Sequence, residues 1–336
     1  MEKYRVGIVG ATGMVGQRFI SLLKDHPWFE VNCVAASARS AGKTYREAVG
    51  ERWAFSWEIP EKVAGMTVVD AADIDEVSKH VDFVFCAVDM KKDEIRALEE
   101  AYAKHEIPVV SNNSACRGIE DVPMVVPEIN ADHLAVIEAQ KKRLGTKNGF
   151  IAVKPNCSIQ SYVPALTPLL DFEPEKVSVC TYQAISGAGK TFKTWPEMVD
   201  NVIPYIGGED EKSENEPLKL WGHVEDGKIV NATLPVISAQ CLRVACSDGH
   251  MAAVSVSFKK KPTIEQIKER WANYETEAQR LELPSAPKPF LQYFEDPSRP
   301  QTRLDRDFQN GFGVSIGRLR EDKLFDYRFV CLSHNT

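Results

Sequence analysis

The sequence predicts an α/β protein in two parts: a doubly wound parallel sheet, then an α+β part whose sheet is largely antiparallel. Three observations carry this reading. Short apolar strands alternate with helical periodicity up to Asn156, which is the grammar of βαβ units. A glycine run joins the first strand to the first helix. After Asn156 closely spaced β-rich segments replace the alternation, as in antiparallel sheets.

The elements follow in order. Tyr4–Val9 (YRVGIV) is a strand, and after Gly10, Gly13 and Gly16 the stretch QRFISLLKDH has helical spacing. EVNCVAAS is the second strand and DFVFCAV (Asp82–Val88) the third, followed by a helix from Lys91 to Lys104. IPVVSNNS is the fourth strand. GFIAVKPN is the fifth, reached through the helix-like NADHLAVIEAQKKRL. The later strands are KVSVCTYQAIS, IVNATLPVIS, CLRVAC, HMAAVSVSFKK, FGVSIGRLRED and FDYRFVCLSH, with one long helix from about Thr263 to Arg280. The domains are therefore expected at 1–156 and 157–336. The acidic GGEDEKSENE (Gly207–Glu216) reads as a solvated loop or a helix start.

Bulk properties exclude several classes. The chain has 336 residues and a net charge of −7, so nucleic acid is not expected as a partner. It has no run long and apolar enough for a membrane span and no secretory leader pattern. The eight cysteines form no C-x-x-C pair, so no zinc site, no other metal and no disulfide framework is expected, and the compartment expected is the cytoplasm.

Chemistry concentrates in a few motifs. Gly10-Ala-Thr12-Gly13-Met-Val15-Gly16 lies between a strand and a helix, where glycines let a backbone approach a pyrophosphate at a helix N-terminus. This makes the first part a Rossmann-like dinucleotide domain. The second strand ends in ASARSAGK, with Ser37, Arg39 and Ser40 and no carboxylate; hydroxyl and cationic groups suit a 2′-phosphate, so NADP is expected. Cys157, in KPNCSIQS, sits at what reads as the first turn of a helix. That location favours the nucleophilic thiolate, although a buried structural cysteine is the commoner fate of a free thiol. His250 follows Arg243 by seven residues across a Ser-Asp-Gly turn, and a hairpin-like turn there would bring the two to one site. Gly187 and Gly189 in QAISGAGK suit either close ligand approach or a plain turn. Glu216 and Lys219 form an i,i+3 pair that, taken alone, reads as a surface helix pair.

In this order, GIVGATGMVGQRF, ASARSAGK, SNNSACR, PNCS, QAISGAGK, EPLK, RVACSDGH and LSHNT resemble the aspartate-semialdehyde dehydrogenase family, in the style of its archaeal and fungal branch. The resemblance runs from Lys3 to Thr336. It implies a nucleotide domain followed by a catalytic and dimerisation domain, and a homodimer or homotetramer. It implies NADPH-dependent reductive dephosphorylation of L-aspartyl 4-phosphate to L-aspartate 4-semialdehyde through a cysteine thioester, within lysine, threonine, methionine and isoleucine biosynthesis. Cys157 would be the acylated nucleophile, Gln183 would orient the acyl group, and His250 would be the general acid/base. Arg243 would hold the substrate carboxylate, Glu216 the ammonium, and Arg117, Lys219 and Asn156 the phosphate. Gly10, Thr12, Gly13, Val15, Ser37, Arg39, Ser40, Ser186 and Gly187 would line the cofactor site. The family's Gly/Ala-rich helix after HNT is expected to be missing, since the sequence stops at Thr336. The alternatives are an N-acetyl-glutamyl-phosphate or malonyl-CoA reductase, which have no ammonium to pair with Glu216, or a non-catalytic NADP-sensing module.

Overall fold

The computed structural model describes Glu2–Thr336. The chain divides into two compact units. The first comprises residues up to Val125 with Asp132–Lys154 and Val224–Ile229; the second comprises Val126–Ala131, Pro155–His223 and Val230–Thr336.

The first unit is built on a six-stranded parallel sheet: β1 (Tyr4–Val9), β2 (Phe29–Ala36), β3 (Val69–Asp70), β4 (Phe83–Cys86), β5 (Val109–Ser111) and β6 (Ile151–Val153). The strand order β3-β2-β1-β4-β5-β6 reverses direction at β1, where a doubly wound sheet binds its ligand. The last four residues of β1 are buried. Helix α1 (Met14–Leu23) turns Ile20 and Leu23 inward, and α2 (Lys92–Lys104) turns Ile95, Tyr102 and Ala103 inward. Helix α3 (Ile137–Leu144) ends at Gly145, which is left-handed (φ 74°). Tyr45 is fully buried, and its hydroxyl donates to Ala11 O at 2.8 Å, pinning the turn after β1. The sequence reading missed β3, whose two residues are too short to show an alternation.

The second unit carries a seven-stranded mixed sheet in the order β13-β14-β15-β12-β7-β11-β8. Its members are β7 (Pro174–Gln183), β8 (Val202–Ile203), β11 (Val236–Val244), β12 (His250–Phe258), β13 (Leu291–Phe294), β14 (Val314–Glu321) and β15 (Tyr327–Ser333). Between β8 and β11 in sequence, β9 (His223–Glu225) and β10 (Lys228–Val230) form a separate two-stranded sheet. Most neighbours in the large sheet are antiparallel, but β7 with β11 and β13 with β14 run parallel. Burial alternates along β12 from His250 to Phe258, so one face of the sheet is covered and the other is not.

Helices α4 (Ile159–Leu166), α5 (Glu209–Leu220) and α6 (Ile264–Ala272) belong to this unit. Tyr162 Oη donates to Ser213 O at 2.7 Å and ties α4 to α5, while Trp271 Nε1 donates to Ala165 O at 2.7 Å and ties α6 to α4. The long helix expected from Thr263 to Arg280 is broken. Helix α6 stops at Asn273, and Thr276 starts a separate turn, Glu277–Arg280, in which Thr276 N donates to Gln279 Oε1 at 3.1 Å. No helix among the described residues is long and apolar enough to cross a membrane, and among them no cluster of His, Cys, Asp or Glu is arranged to hold a metal ion.

Candidate active site

The site in the second unit forms at one end of its sheet. Gln183 is the last residue of β7, and Arg243 is its register partner on the parallel strand β11. His250 opens β12, which runs antiparallel to β7. The three side chains therefore converge although Gln183 lies 60 residues before Arg243 in sequence. Arg243 and His250 are not joined by the expected hairpin, because β7 lies between their strands. The connection crosses the end of β7 instead: Ile185 N donates to Cys246 O at 2.9 Å and Ser186 N to Ser247 O at 3.2 Å.

Cys157 lies in a turn just before α4, whose first residue is Ile159, and not within the helix. Asn156 makes this turn. Its Oδ1 accepts from Ser158 N at 2.8 Å and from Ser158 Oγ at 2.7 Å, which closes a loop around the cysteine. Cys157 Sγ is 3.4 Å from His250 Nε2. His250 is fully buried, and its Nδ1 accepts from Ala184 N at 3.0 Å. That bond assigns the ring proton of the neutral imidazole to Nε2, the atom facing sulfur. The sulfur of Cys157 thus faces an N–H donor.

Six of the other cysteines are disfavoured as thiolates. All eight are unpaired as disulfides. Burial pushes the Cys33 thiol up to about 12 and Cys241 up to about 11, because an apolar surrounding disfavours the thiolate. Cys86, Cys116, Cys180 and Cys331 are raised for the same reason.

Arg243 is buried, and its Nη1 donates to Ala184 O at 2.7 Å. Desolvation lowers its guanidinium from the ordinary range, while Cys157, Glu209 and Cys241 act in the opposite direction. A Cβ at Gly187 would stand 2.9 Å from Arg243 Nη1 and 3.0 Å from His250 Nε2, so both functional groups reach this exposed backbone point. Ser186 is buried and accepts from Asn335 Nδ2 at 2.9 Å; Asn335 Oδ1 in turn accepts from Gly249 N at 2.8 Å, just before His250.

Glu216 and Lys219 are not a surface pair. Lys219 is buried, and Glu216 Oε2 accepts from Asn156 N at 2.6 Å. Nor is the acidic stretch wholly solvated. Glu209, the first residue of α5, is buried and accepts from the carboxamides of Asn156 and Gln183. Sequence reading missed Glu209 and Asn335. Nothing local marks Glu209 apart from Asp210 and Glu211, whereas Asn335 stands in the HNT stretch that closes the sequence.

The first unit holds the rest. Gly10 has φ +90°, and a Cβ there would sit 2.3 Å from Ala87 O; one on Gly16 would sit 2.3 Å from Gly10 O. These two glycines let strand, turn and helix close together. Gly13 caps α1 without a side-chain bond, and Thr12, Gly13 and Val15 are solvent-accessible. The N-terminal amides of a ten-residue helix are thus presented to an anion. Ser37 and Arg39 are exposed and Ser40 half-buried at the end of β2. The next carboxylate, Glu47, is engaged by Thr44 N at 2.9 Å and Thr44 Oγ1 at 2.8 Å. The residues present fit a dinucleotide with a 2′-phosphate. Arg117 is half-buried after β5, its Nη2 donating to Asn112 O at 3.1 Å.

A doubly wound sheet with a glycine turn at its switch point is the architecture of a dinucleotide-linked dehydrogenase. The profile described as semialdehyde dehydrogenase, NAD binding domain, matches residues 5–137, and that described as semialdehyde dehydrogenase, dimerisation domain, matches residues 166–336. The chain belongs to the aspartate-semialdehyde dehydrogenase family. It is 42% identical to aspartate-semialdehyde dehydrogenase of Archaeoglobus fulgidus over 99% of this chain and 94% of the relative. It is 44% identical to that of Schizosaccharomyces pombe over 99% and 93%. The crystal structure of the Candida albicans enzyme with NADP superposes with a TM-score of 0.89 at 38% identity, covering 100% of this chain and 94% of the other.

Proposed function

We propose that this chain catalyses the NADP-linked interconversion of L-aspartyl 4-phosphate and L-aspartate 4-semialdehyde through a thioester on Cys157. The observation that carries the reading is the 3.4 Å contact between Cys157 Sγ and the proton-bearing Nε2 of His250, beside the buried Arg243. In the reductive direction the Cys157 thiolate attacks the acyl carbon. A C–S bond forms, the bond to phosphate oxygen breaks, and phosphate leaves with the electron pair. The dinucleotide, when bound, supplies the hydride that reduces the thioester carbon. The thiohemiacetal then collapses: the C–S bond breaks, its electrons return to sulfur, and His250 Nε2–H stabilises the returning charge. Division into two steps lowers the barrier to acyl reduction.

Arg243 is the proposed partner of the substrate α-carboxylate, with the planar fork that task favours. Glu216 is the proposed partner of the ammonium, and Arg117 and Lys219 of the phosphate. Asn156 is proposed for the phosphate with them, and its carboxamide also holds the Cys157 turn. Gln183 orients the acyl group. Gly10, Thr12, Gly13, Val15, Ser37, Arg39, Ser40, Ser186 and Gly187 are the proposed NADP contacts.

The uncovered face of the second unit's sheet includes Tyr182, Val202 and Val236, all exposed, with Tyr205 70% exposed just beyond β8. Together with the match to a dimerisation domain, this supports a homodimer through that face. A cytoplasmic location accords with unpaired cysteines. The test of the activity is NADP-dependent oxidation of aspartate semialdehyde with and without inorganic phosphate. NADPH formation that requires phosphate for turnover supports the proposal; none, or turnover indifferent to phosphate, overturns it.

A further inference from the structure

We infer that Glu99 is a positioning residue for the proposed phosphate partner Arg117, acting through one hydroxyl and one peptide plane. The inference rests on the thioester reading above. Glu99 lies on α2, within the first unit, and is fully buried. Its Oε1 accepts from Ser111 Oγ, at the end of β5, and from Asn113 Nδ2 at 3.0 Å. Its Oε2 is buried and receives no hydrogen bond from nitrogen or oxygen among the described residues. Burial first, and Glu99 second, push the neighbouring thiols of Cys86 and Cys116 up.

A hydroxyl has one proton, and Ser111 gives it to Glu99. The lone pairs of the hydroxyl then face the main chain, where Ser111 Oγ accepts from Asn113 N at 3.0 Å. That N–H shares a trans peptide with the carbonyl of Asn112, and planarity makes the two groups point in opposite directions. Asn112 O accordingly points away from Ser111 and accepts from Arg117 Nη2 at 3.1 Å. The strand next door holds the same segment: Asn112 N donates to Cys86 O at 2.8 Å, and Asn113 Nδ2 also donates to Cys86 Sγ at 3.5 Å.

The buried carboxyl group thus sets the direction of the Arg117 guanidinium from two residues away. Without its acceptor the Ser111 hydroxyl rotates, its lone pairs leave Asn113 N–H, and the peptide plane that aims Asn112 O is released. One oxygen carries both bonds. Glu99→Gln therefore keeps an accepting oxygen for Ser111 and Asn113, whereas Glu99→Leu has none.

The experiment compares the full-length wild type with Glu99→Leu, Glu99→Gln, Ser111→Ala, Arg117→Ala and the Glu99→Leu/Arg117→Ala double variant in NADP-dependent oxidation of aspartate semialdehyde. Glu99→Leu raises the KM for inorganic phosphate about tenfold, the low end for loss of one charge-assisted hydrogen bond, while KM for semialdehyde and for NADP stays within about twofold. Its burst of NADPH in the absence of phosphate keeps the wild-type amplitude, because that half-reaction does not use phosphate. Glu99→Gln recovers most of the loss. In the Arg117→Ala background Glu99→Leu costs little more. Ser111→Ala breaks the same chain of bonds by removing one buried oxygen; it raises the phosphate KM in the same selective way and decides the matter where Glu99→Leu does not fold. An unchanged phosphate KM in Ser111→Ala, equal rises in all three KM values, full additivity with Arg117→Ala, or a Glu99→Gln protein as impaired as Glu99→Leu each overturns the inference. A wild type whose turnover is indifferent to phosphate overturns the reaction reading itself.

Discussion

The two units bind by different means. In the first, backbone builds the site: a turn at Gly10, the uncapped start of α1 at Gly13, and exposed side chains only at the edge, Ser37 and Arg39. In the second, side chains from separate chain segments build it: the half-buried Cys157 before α4 and the buried Gln183 on β7, Arg243 on β11, His250 on β12 and Glu209 on α5. A backbone site is insensitive to most side-chain changes and sensitive to added Cβ atoms. A site of interlocked side chains loses function with each truncation.

The sharpest break of this contrast is Cys157→Ala. Turnover should fall below about 1% of wild type, since no other group forms the covalent intermediate, while NADP titration, followed by fluorescence, gives a nearly unchanged Kd. A variant that keeps more activity removes the thioester from the account. Gly187→Ala comes next. Its new Cβ meets the flexible ends of Arg243 and His250, so the fold is kept, but kcat should drop about 10- to 100-fold through misplacement. Wild-type kinetics there would mean that neither side chain is held where it acts.

Arg39→Ala tests the edge of the backbone site. Loss of one charge-assisted bond should reduce the NADP-over-NAD preference by about tenfold, read as the ratio of kcat/KM for the two cofactors. Equal weakening of both would detach Arg39 from the 2′-phosphate. The smallest effect concerns Glu209. Burial raises its pKa, but bonds from Lys212, Asn156 and Gln183 more than offset this and leave it below its ordinary value of 4.5. A depressed carboxylate contributes stability above its unfolded pKa and loses it as pH falls through the folded value. The Tm gap between wild type and Glu209→Gln should therefore shrink as pH is lowered from 6 to below 4. A constant gap would mean that the charge contributes nothing.

The same contrast explains what could be read in the sequence. The glycine run, the strand before it and the absence of an acid after β2 are local signals, and the strand, turn and helix they indicate are the ones the structure has. In the second unit local signals gave residue types. PNCS marked Cys157 and RVACSDGH marked Arg243 and His250. That β7 separates the strands of Arg243 and His250 depends on long-range pairing that spacing does not encode. Glu209 carries no signal beyond an acidic helix start, and only tertiary burial distinguishes it from Asp210 and Glu211. The break at Asn273 was masked because helical periodicity continues across it.

The central claim is the acyl-enzyme on Cys157. With aspartate semialdehyde and NADP but no phosphate, the enzyme should release a burst of NADPH stoichiometric with active sites. Mass spectrometry should find one aspartyl group on the peptide that contains Cys157, lost when phosphate is added. NADPH formed without that adduct, or an adduct on any other cysteine, would contradict the account.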